Sequence, residues 1–339
     1  MQALLRRPGL TAGWHFPILI FQQVSMTLPF QGDARHPGPM GISPGLVPGR
    51  VPGPIGLVLW DKKSNAPAQG NVTKAAKMTK MPPPTKDSDS KDVHVVTLPL
   101  FNSSKNIPSP DDVMQAPGIA NCPIAAMLAA LAFTATGRTV IQGMVSETAA
   151  NVETDLSEVP PSILSNPPAG TTISSSRFFT VKLSGGSFDV SDVLYTDDHD
   201  SGWSPLYLRD PNNQAIWASV IEKALAVKLK SYENFDALDI NANDFWEKLT
   251  GAKPGQIEIK GDTPLTTITA AAKDSVRVPS IAASKPDTKD VKLVSPFHGF
   301  AMMGLQGPKI QLYDAAKVKK ILLTPAEFRH DFLAILYRK

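Results

Sequence analysis

Residues 116–131, APGIANCPIAAMLAAL, decide how the chain is read, because Cys122 within them is the single cysteine among 339 residues. A loop of small residues leads into Cys122, Pro123 follows, and an alanine-rich apolar run then reads as a helix. Proline suits a first helical turn, where its missing N–H has no intrahelical acceptor anyway. The spacing of Ile124, Met127, Leu128 and Leu131 predicts one apolar face, with the helix ending near Gly137. A thiol in that position has two readings. It packs as a small hydrophobe among alanines, or its thiolate is stabilised by the unpaired N–H groups at the positive end of the helix and serves as a nucleophile.

Composition narrows the field. The length allows one large or two modest domains with a substantial core. One cysteine excludes an intrachain disulfide and a multi-cysteine zinc site. It permits a reducing compartment, so a cytoplasmic location is the expectation, with secretion or delivery left open. The formal charge is +3 and the lysines are scattered, which gives no electrostatic support to a nucleic-acid partner. No apolar run reaches the roughly 18 residues of a membrane span. The N-terminal LLRRPGLTAGWHFPILIFQQVSM is a poor signal peptide, interrupted by His15 and Pro17, and Met26 serves equally well as a start.

Residues 1–92 read as a flexible Pro/Gly/Lys-rich arm, since such a composition buries too little apolar surface to offset its ordering entropy. Within it Ile55–Trp60 has strand character, and MPPPTKDSDSKD (81–92) reads as a solvated linker. Order begins at VHVVTLPL (93–100), a strand or extended brace. FFTVKLSGGSFDVSDVLYT (178–196) reads as a hairpin turning at Gly185-Gly186. NQAIWASVIEKALAVKLKSY (213–232) reads as a helix buried along Ile216, Trp217, Val220, Ile221, Leu225 and Leu229. The last third alternates short β-rich runs with turns and closes on the helix TPAEFRHDFLAIL (324–336), capped by Thr324. Helices first and strands later predict an α+β fold, with a helical lobe over 93–252 carrying the cysteine and a β lobe over 253–339.

Thiol chemistry needs a base beside the sulfur and a third group to hold that base. Of six histidines, His15 and His36 lie in the arm, His94 begins a strand, His199 sits in an acidic loop, and His330 is on the outer side of the last helix. His298 differs: it starts HGFAMMG, an apolar run that reads as a buried strand, followed by the turn LQGPK and a second strand, IQLYD. A hairpin centred on Gln306 pairs residues whose numbers sum to 612 and sets His298 opposite Asp314. Cross-strand neighbours lie about 5 Å apart at Cβ, close enough for a carboxylate to accept from imidazole.

These stretches resemble the protease core of calpains, in the papain-like clan. QAIWASVIEKALAVKLKSYENFDAL (214–238) is similar to the family's W-x-x-x-[IL]-E-K-A-x-A-K-L helix and the Ser-Tyr-Glu turn after it. FFTVKLSGGSFDVSDVLYTDD resembles its hairpin, FWEKLTG (245–251) its Leu-Thr-Gly, SPFHGFAMMG (295–304) its histidine strand, and TPAEFRHDFLAIL the segment that closes the core. The resemblance covers roughly Val93 to Lys339 and leaves the arm unexplained.

What the resemblance implies is a papain-like two-lobe fold and a cysteine endopeptidase acting on protein or peptide substrates. Cys122 takes the place of the nucleophile, His298 of the base, and Asp314 stands where the family has asparagine. Two departures follow. The oxyanion glutamine lies six residues before the family's cysteine, where this chain has Ala116. Gln115 is seven before, and a one-residue bulge would return it to its place, with Asn121 a substitute of uncertain fit. The Asn-Pro-Trp-Gly segment becomes LYDAAKV, so the shielding tryptophan is lost. A pseudoprotease kept as a binding module is therefore the rival reading. The arm reads as a self-inhibitory segment or a tag recognised by a partner. No cofactor is expected; calcium enters through the resemblance alone, with Asp197, Asp198 and Asp200 as oxygen ligands that lack the spacing of a calcium loop.

Overall fold

The computed structural model describes residues 79–84, 92–102, 104, 106–115, 119–157, 159, 172–199, 202–235, 242–290 and 292–339, all within one structural unit. The alanine-rich run forms helix α1 (Cys122–Phe133), and every residue from Pro123 to Ala132 is buried. The single apolar face expected of it is not what forms. A helix that is apolar all round is a core helix, and small side chains let its neighbours approach on each side. It also stops at Phe133 rather than at Gly137. Thr134 is extended (ψ 149°), and α2 (Ala135–Met144) leaves at an angle of 114°. A Cβ on Gly137 would sit 2.1 Å from the Leu131 carbonyl oxygen, so only glycine allows the second helix to turn this tightly. The Arg138 guanidinium donates to the carbonyls of Ala132 (3.2 Å) and Phe133 (2.9 Å), satisfying acceptors that the end of α1 leaves free. Among the described residues no single helix is long and apolar enough to cross a membrane.

The first half of the chain is richer in strands than its sequence reading. β1 (Thr79–Lys80) runs parallel to β3 (Val145–Asp155), which pairs antiparallel with β4 (Thr172–Leu183) and so continues to β5 (Gly186–Ser191). The β4–β5 hairpin expected from FFTVKLSGGSFDV is present, turning at Ser184-Gly185 with Gly185 at φ 86°. A second small sheet joins β2 (Asp92–Val95), β6 (Val193–His199) and β7 (Gly202–Pro205). Residues 93–252 therefore do not make a helical lobe: β3, with no strong periodicity of its own, is drafted by pairing to β4. The solvated linker also needs correction at 79–84. Met81 is fully buried, the Pro82 carbonyl accepts from the Tyr195 hydroxyl (3.1 Å), and the Pro83 carbonyl accepts from the Tyr232 N–H (2.9 Å). The remaining arm, including Ile55–Trp60, lies outside the described residues.

Helix α3 (Trp217–Leu229) forms where expected, but its first ten residues are all buried, Glu222 and Lys223 included. It packs on β4 and β5, and α4 (Ala242–Thr250) covers β4 from the side with Phe245, Trp246 and Leu249.

The last third builds one six-stranded antiparallel sheet in the order β12 (Lys319–Leu323), β11 (Lys309–Asp314), β10 (Gly299–Gln306), β9 (Ser280–Ser284), β13 (Phe332–Tyr337), β8 (Gly255–Glu258). The period-2 alternation of strands sends neighbouring residues to opposite faces. Ala282, Phe300, Met302 and Ile335 join a core closed by α5 (Leu265–Asp274) and α6 (Pro325–Asp331). Ile281, Ala301, Met303 and Leu336 join the core around α1. The closing segment is not one helix. Thr324 caps α6 with Glu327 in a capping box, the helix ends at Asp331, and the apolar FLAILY is pulled into the sheet between β9 and β8. The architecture is α+β, with α1 lying against the face of this sheet.

Candidate active site

Cys122 is the first residue of α1 and is half-buried. Asn121 is the N-cap, and its carbonyl accepts the N–H groups of Ile124 and Ala125, both at 3.0 Å. Its side chain is wholly buried and turns inward, where Nδ2 donates to Glu222 Oε1 at 2.5 Å. Asn121 is thus engaged in the core and is not a substitute donor beside the sulfur. The other oxygen of Glu222 accepts the Leu208 N–H at 2.7 Å, and burial pushes this carboxyl up to about 8. Lys223, next to it, donates to the carbonyls of Ser191 (3.1 Å) and Val193 (2.6 Å), and burial brings its ammonium down to about 7. The sequence reading gave this pair no role in holding the nucleophile loop. Its signal was present, in two adjacent charges inside the apolar VIEKALA.

His298 stands immediately before β10 and is buried. Its backbone is fixed on both sides. The His298 N–H donates to Ser284 Oγ (2.8 Å), the Ser284 N–H donates to the His298 carbonyl (2.9 Å), and Phe297 before it holds a left-handed φ of 50°. Such a conformation costs a bulky residue of order 1 kcal/mol and persists only where its surroundings dictate it. The ring meets Phe300 edge-on, with centroids 4.8 Å apart. Nε2 lies 2.9 Å from Asp314 Oδ1, and Cys122 is near enough to act on the same ring. Burial opposes a charge on this ring. Asp314 and then Cys122 outweigh it, and His298 is pushed up to about 9.

The hairpin joining His298 to Asp314 is not in the expected register. Its turn is Gly307-Pro308, and a bulge between Met302 and Leu305 leaves Ala301 opposite Tyr313. Asp314 is therefore offset by two residues from the position opposite His298, and the contact is diagonal. Diagonal neighbours are within reach of long side chains. Asp314 is fully buried. Oδ1 also accepts the Ala316 N–H (3.0 Å), and Oδ2 has no hydrogen-bond partner, with Lys317 Nζ 3.7 Å away. Burial alone would raise this carboxyl, but the hydrogen bond to His298 leaves it below the ordinary carboxylate range.

Gln115 is buried and close to this group, since its N–H donates to the Ala315 carbonyl at 3.0 Å. Its side-chain Nε2 donates to the Ile119 carbonyl at 2.5 Å, and Oε1 is buried with no partner. The amide is buried and braces the loop that leads to Cys122. Just before it, the Val113 carbonyl accepts from the Tyr313 hydroxyl at 2.9 Å, and Met114 exchanges backbone hydrogen bonds with Arg209. Residues 113–115 thereby strap the cysteine loop to the end of β11.

The remaining candidates lie elsewhere. His94 Nδ1 contacts Thr196 Oγ1 (2.6 Å), and the exposed His330 contacts Asp331 (2.7 Å). Thr196–His199 are paired strand, not loop. Asp200 lies outside the described residues. A surface groove of about 750 Å³ is lined by residues including Thr97, Phe101, Gln142, Glu147 and Arg177, with none of Cys122, His298 or Asp314 among them.

No protein-family profile matches the chain, and no characterised protein matches its sequence.

Proposed function

We propose that this chain is a cysteine endopeptidase with a papain-like, calpain-like core, and that Cys122, His298 and Asp314 carry the reaction. The observation that supports it is a buried imidazole hydrogen-bonded to a buried carboxylate, with the lone thiol at a helix N-terminus acting on the same ring. The packing of α1 against an antiparallel sheet that bears the histidine suits that fold. The substrates are proteins or peptides, and the reduced thiol suits a cytoplasmic setting.

In this reading the Cys122 thiolate attacks the scissile carbonyl carbon and forms a C–S bond while the carbonyl electrons move to oxygen. The Cys122 N–H, free of any intrahelical acceptor at the first position of α1, faces that oxyanion. His298 donates its proton to the leaving amine as the C–N bond breaks. Water then adds to the thioester, with His298 taking its proton, and the acid and thiol are released. Asp314 orients the ring and stabilises its charged form. One Gln115 Nε2 hydrogen goes to Ile119, and the Cys122 N–H is the one oxyanion donor identified among the described residues. Losing one such donor costs about a hundredfold to a thousandfold in rate.

That same hydrogen bond from Gln115 favours the second reading, a pseudoprotease retained as a binding module. Iodoacetamide labelling of the full chain at neutral pH, followed by mass spectrometry, tests the thiol. Labelling of Cys122 far faster than free cysteine, lost in His298→Gln, is expected, together with cleavage of a casein-like substrate that vanishes in Cys122→Ala. Labelling of Cys122 no faster than free cysteine, or rapid labelling without cleavage, would overturn the endopeptidase in favour of the binding module.

A further inference from the structure

Asp314 stands where the calpain-like pattern has a neutral amide, and a carboxylate there poses an electrostatic problem. It stabilises the imidazolium more than a neutral amide would, and so opposes release of the proton to a leaving amine. Oδ1 of Asp314 is used by His298 and the Ala316 N–H, while Oδ2 is buried without a hydrogen-bond partner. The group nearest to that open oxygen in charge and reach is Lys317, at the tip of the Ala315–Val318 turn that joins β11 to β12. Val318 holds a left-handed φ of 49° there.

Lys317 is anchored rather than free. Its Nζ donates to the Lys292 carbonyl at 3.2 Å, and Lys292 belongs to the segment that leads into His298. The ammonium therefore spans from the turn after Asp314 to the chain before His298. Its side chain is 35% exposed, and its ammonium sits 3.7 Å from Oδ2.

We propose that Lys317 is a positioning residue for the Cys122–His298–Asp314 group: it caps the open oxygen of Asp314, keeps Oδ1 turned to the imidazole, and offsets the carboxylate charge so that His298 can release its proton. The inference rests on the endopeptidase reading for its purpose, but its electrostatics do not depend on turnover. The titratable groups facing the pair are Cys122 from α1, Lys317 from the β11–β12 turn, and the more distant Asp111 and Asp112, which act on the neighbouring Tyr313.

The test is the titration of His298 in the full chain, followed by NMR of carbon-13 histidine and assigned with His298→Gln, in wild type, Lys317→Met and Lys317→Arg. A unit charge at this range, partly screened by water, shifts a neighbour's titration by about half a unit. Removing the ammonium should therefore move His298 upward by about that amount in Lys317→Met, with Lys317→Arg restoring it. Cleavage should fall through kcat with KM little changed. An unmoved His298 in Lys317→Met, or equal shifts in Met and Arg variants, overturns the proposal. Should the chain cleave nothing and Cys122 label as an ordinary thiol, the endopeptidase reading fails. The histidine titration would still decide whether Lys317 caps Asp314.

Discussion

A Cβ on Gly299 would lie 3.2 Å from the carbonyl oxygen of Cys122 and 3.4 Å from the Ala126 Cβ. The strand that carries the base thus touches the first turn of the helix that carries the thiol, with no side chain between them. Gly299→Ala should force β10 off α1 at a cost of about 1–3 kcal/mol. Iodoacetamide labelling of Cys122 should slow toward the rate of free cysteine even where urea unfolding shows a folded protein. Unchanged labelling would mean the contact does not set the sulfur–imidazole distance.

Asp314→Asn removes the charge that stabilises the imidazolium. His298, now at about 9, should titrate lower by roughly one to two units. The upper limit of the pH range for rapid thiol labelling should fall with it. A histidine titration that stays put would show that Asp314 acts through geometry alone.

Glu222→Gln leaves two donors, the Asn121 amide and the Leu208 N–H, facing one acceptor, and should destabilise the fold by about 1–3 kcal/mol. It also changes pH dependence. The Glu222 carboxyl rises from 4.5 to about 8 on folding, so its favourable contribution is complete below pH 4.5 and is lost as pH climbs through 8. His298, raised from 6.5 to about 9, adds a loss between those values, while Lys223, lowered from 10.5 to about 7, works the other way above neutrality. Wild type should therefore lose stability from about pH 5 to about pH 7, and Glu222→Gln should flatten that slope. Asp112 and Asp192, also raised by burial, leave a residue of it. Urea midpoints at the two pH values measure the difference, and equal slopes would place the titration elsewhere.

Gly137→Ala puts a methyl 2.1 Å from the Leu131 carbonyl oxygen, which neither backbone can accommodate without moving. The cost should exceed about 3 kcal/mol, above the usual range for overpacking, and circular dichroism melting would register it as a large drop in midpoint. A small effect would mean that α2 swings freely away from α1.

The elements legible in the sequence were those whose chemistry is local. Thr324 and Glu327 mark the start of α6, Gly185 marks the β4–β5 turn, and the helix over Trp217–Leu229 carries its own periodicity. What was missed depends on partners far along the chain. FLAILY reads as a continuation of α6 until β9 and β8 are present to pair with it, and β3 has no signal apart from β4. At the site, the residue identities were legible and the geometry only in part. His298 and Asp314 meet, but through a bulge that no count of residues reveals, and the Gln115 amide donates to the Ile119 carbonyl. Lys317 and Glu222 drew no notice as site residues because each acts on a neighbour, not on the thiol.

The strap of residues 113–115 has a wider meaning when set beside the shared core. Ile281, Ala301, Met303, Tyr313, Ala315 and Leu336 belong to the apolar mass around α1, so the two parts of the chain are joined by buried side chains as well as by the Val113–Tyr313 and Gln115–Ala315 hydrogen bonds. Such a boundary behaves as a weld and not as a hinge. The chain should melt in one cooperative step, and any opening of one part against the other would require breaking that core. Control over the thiol then falls to whatever reaches or covers it from outside.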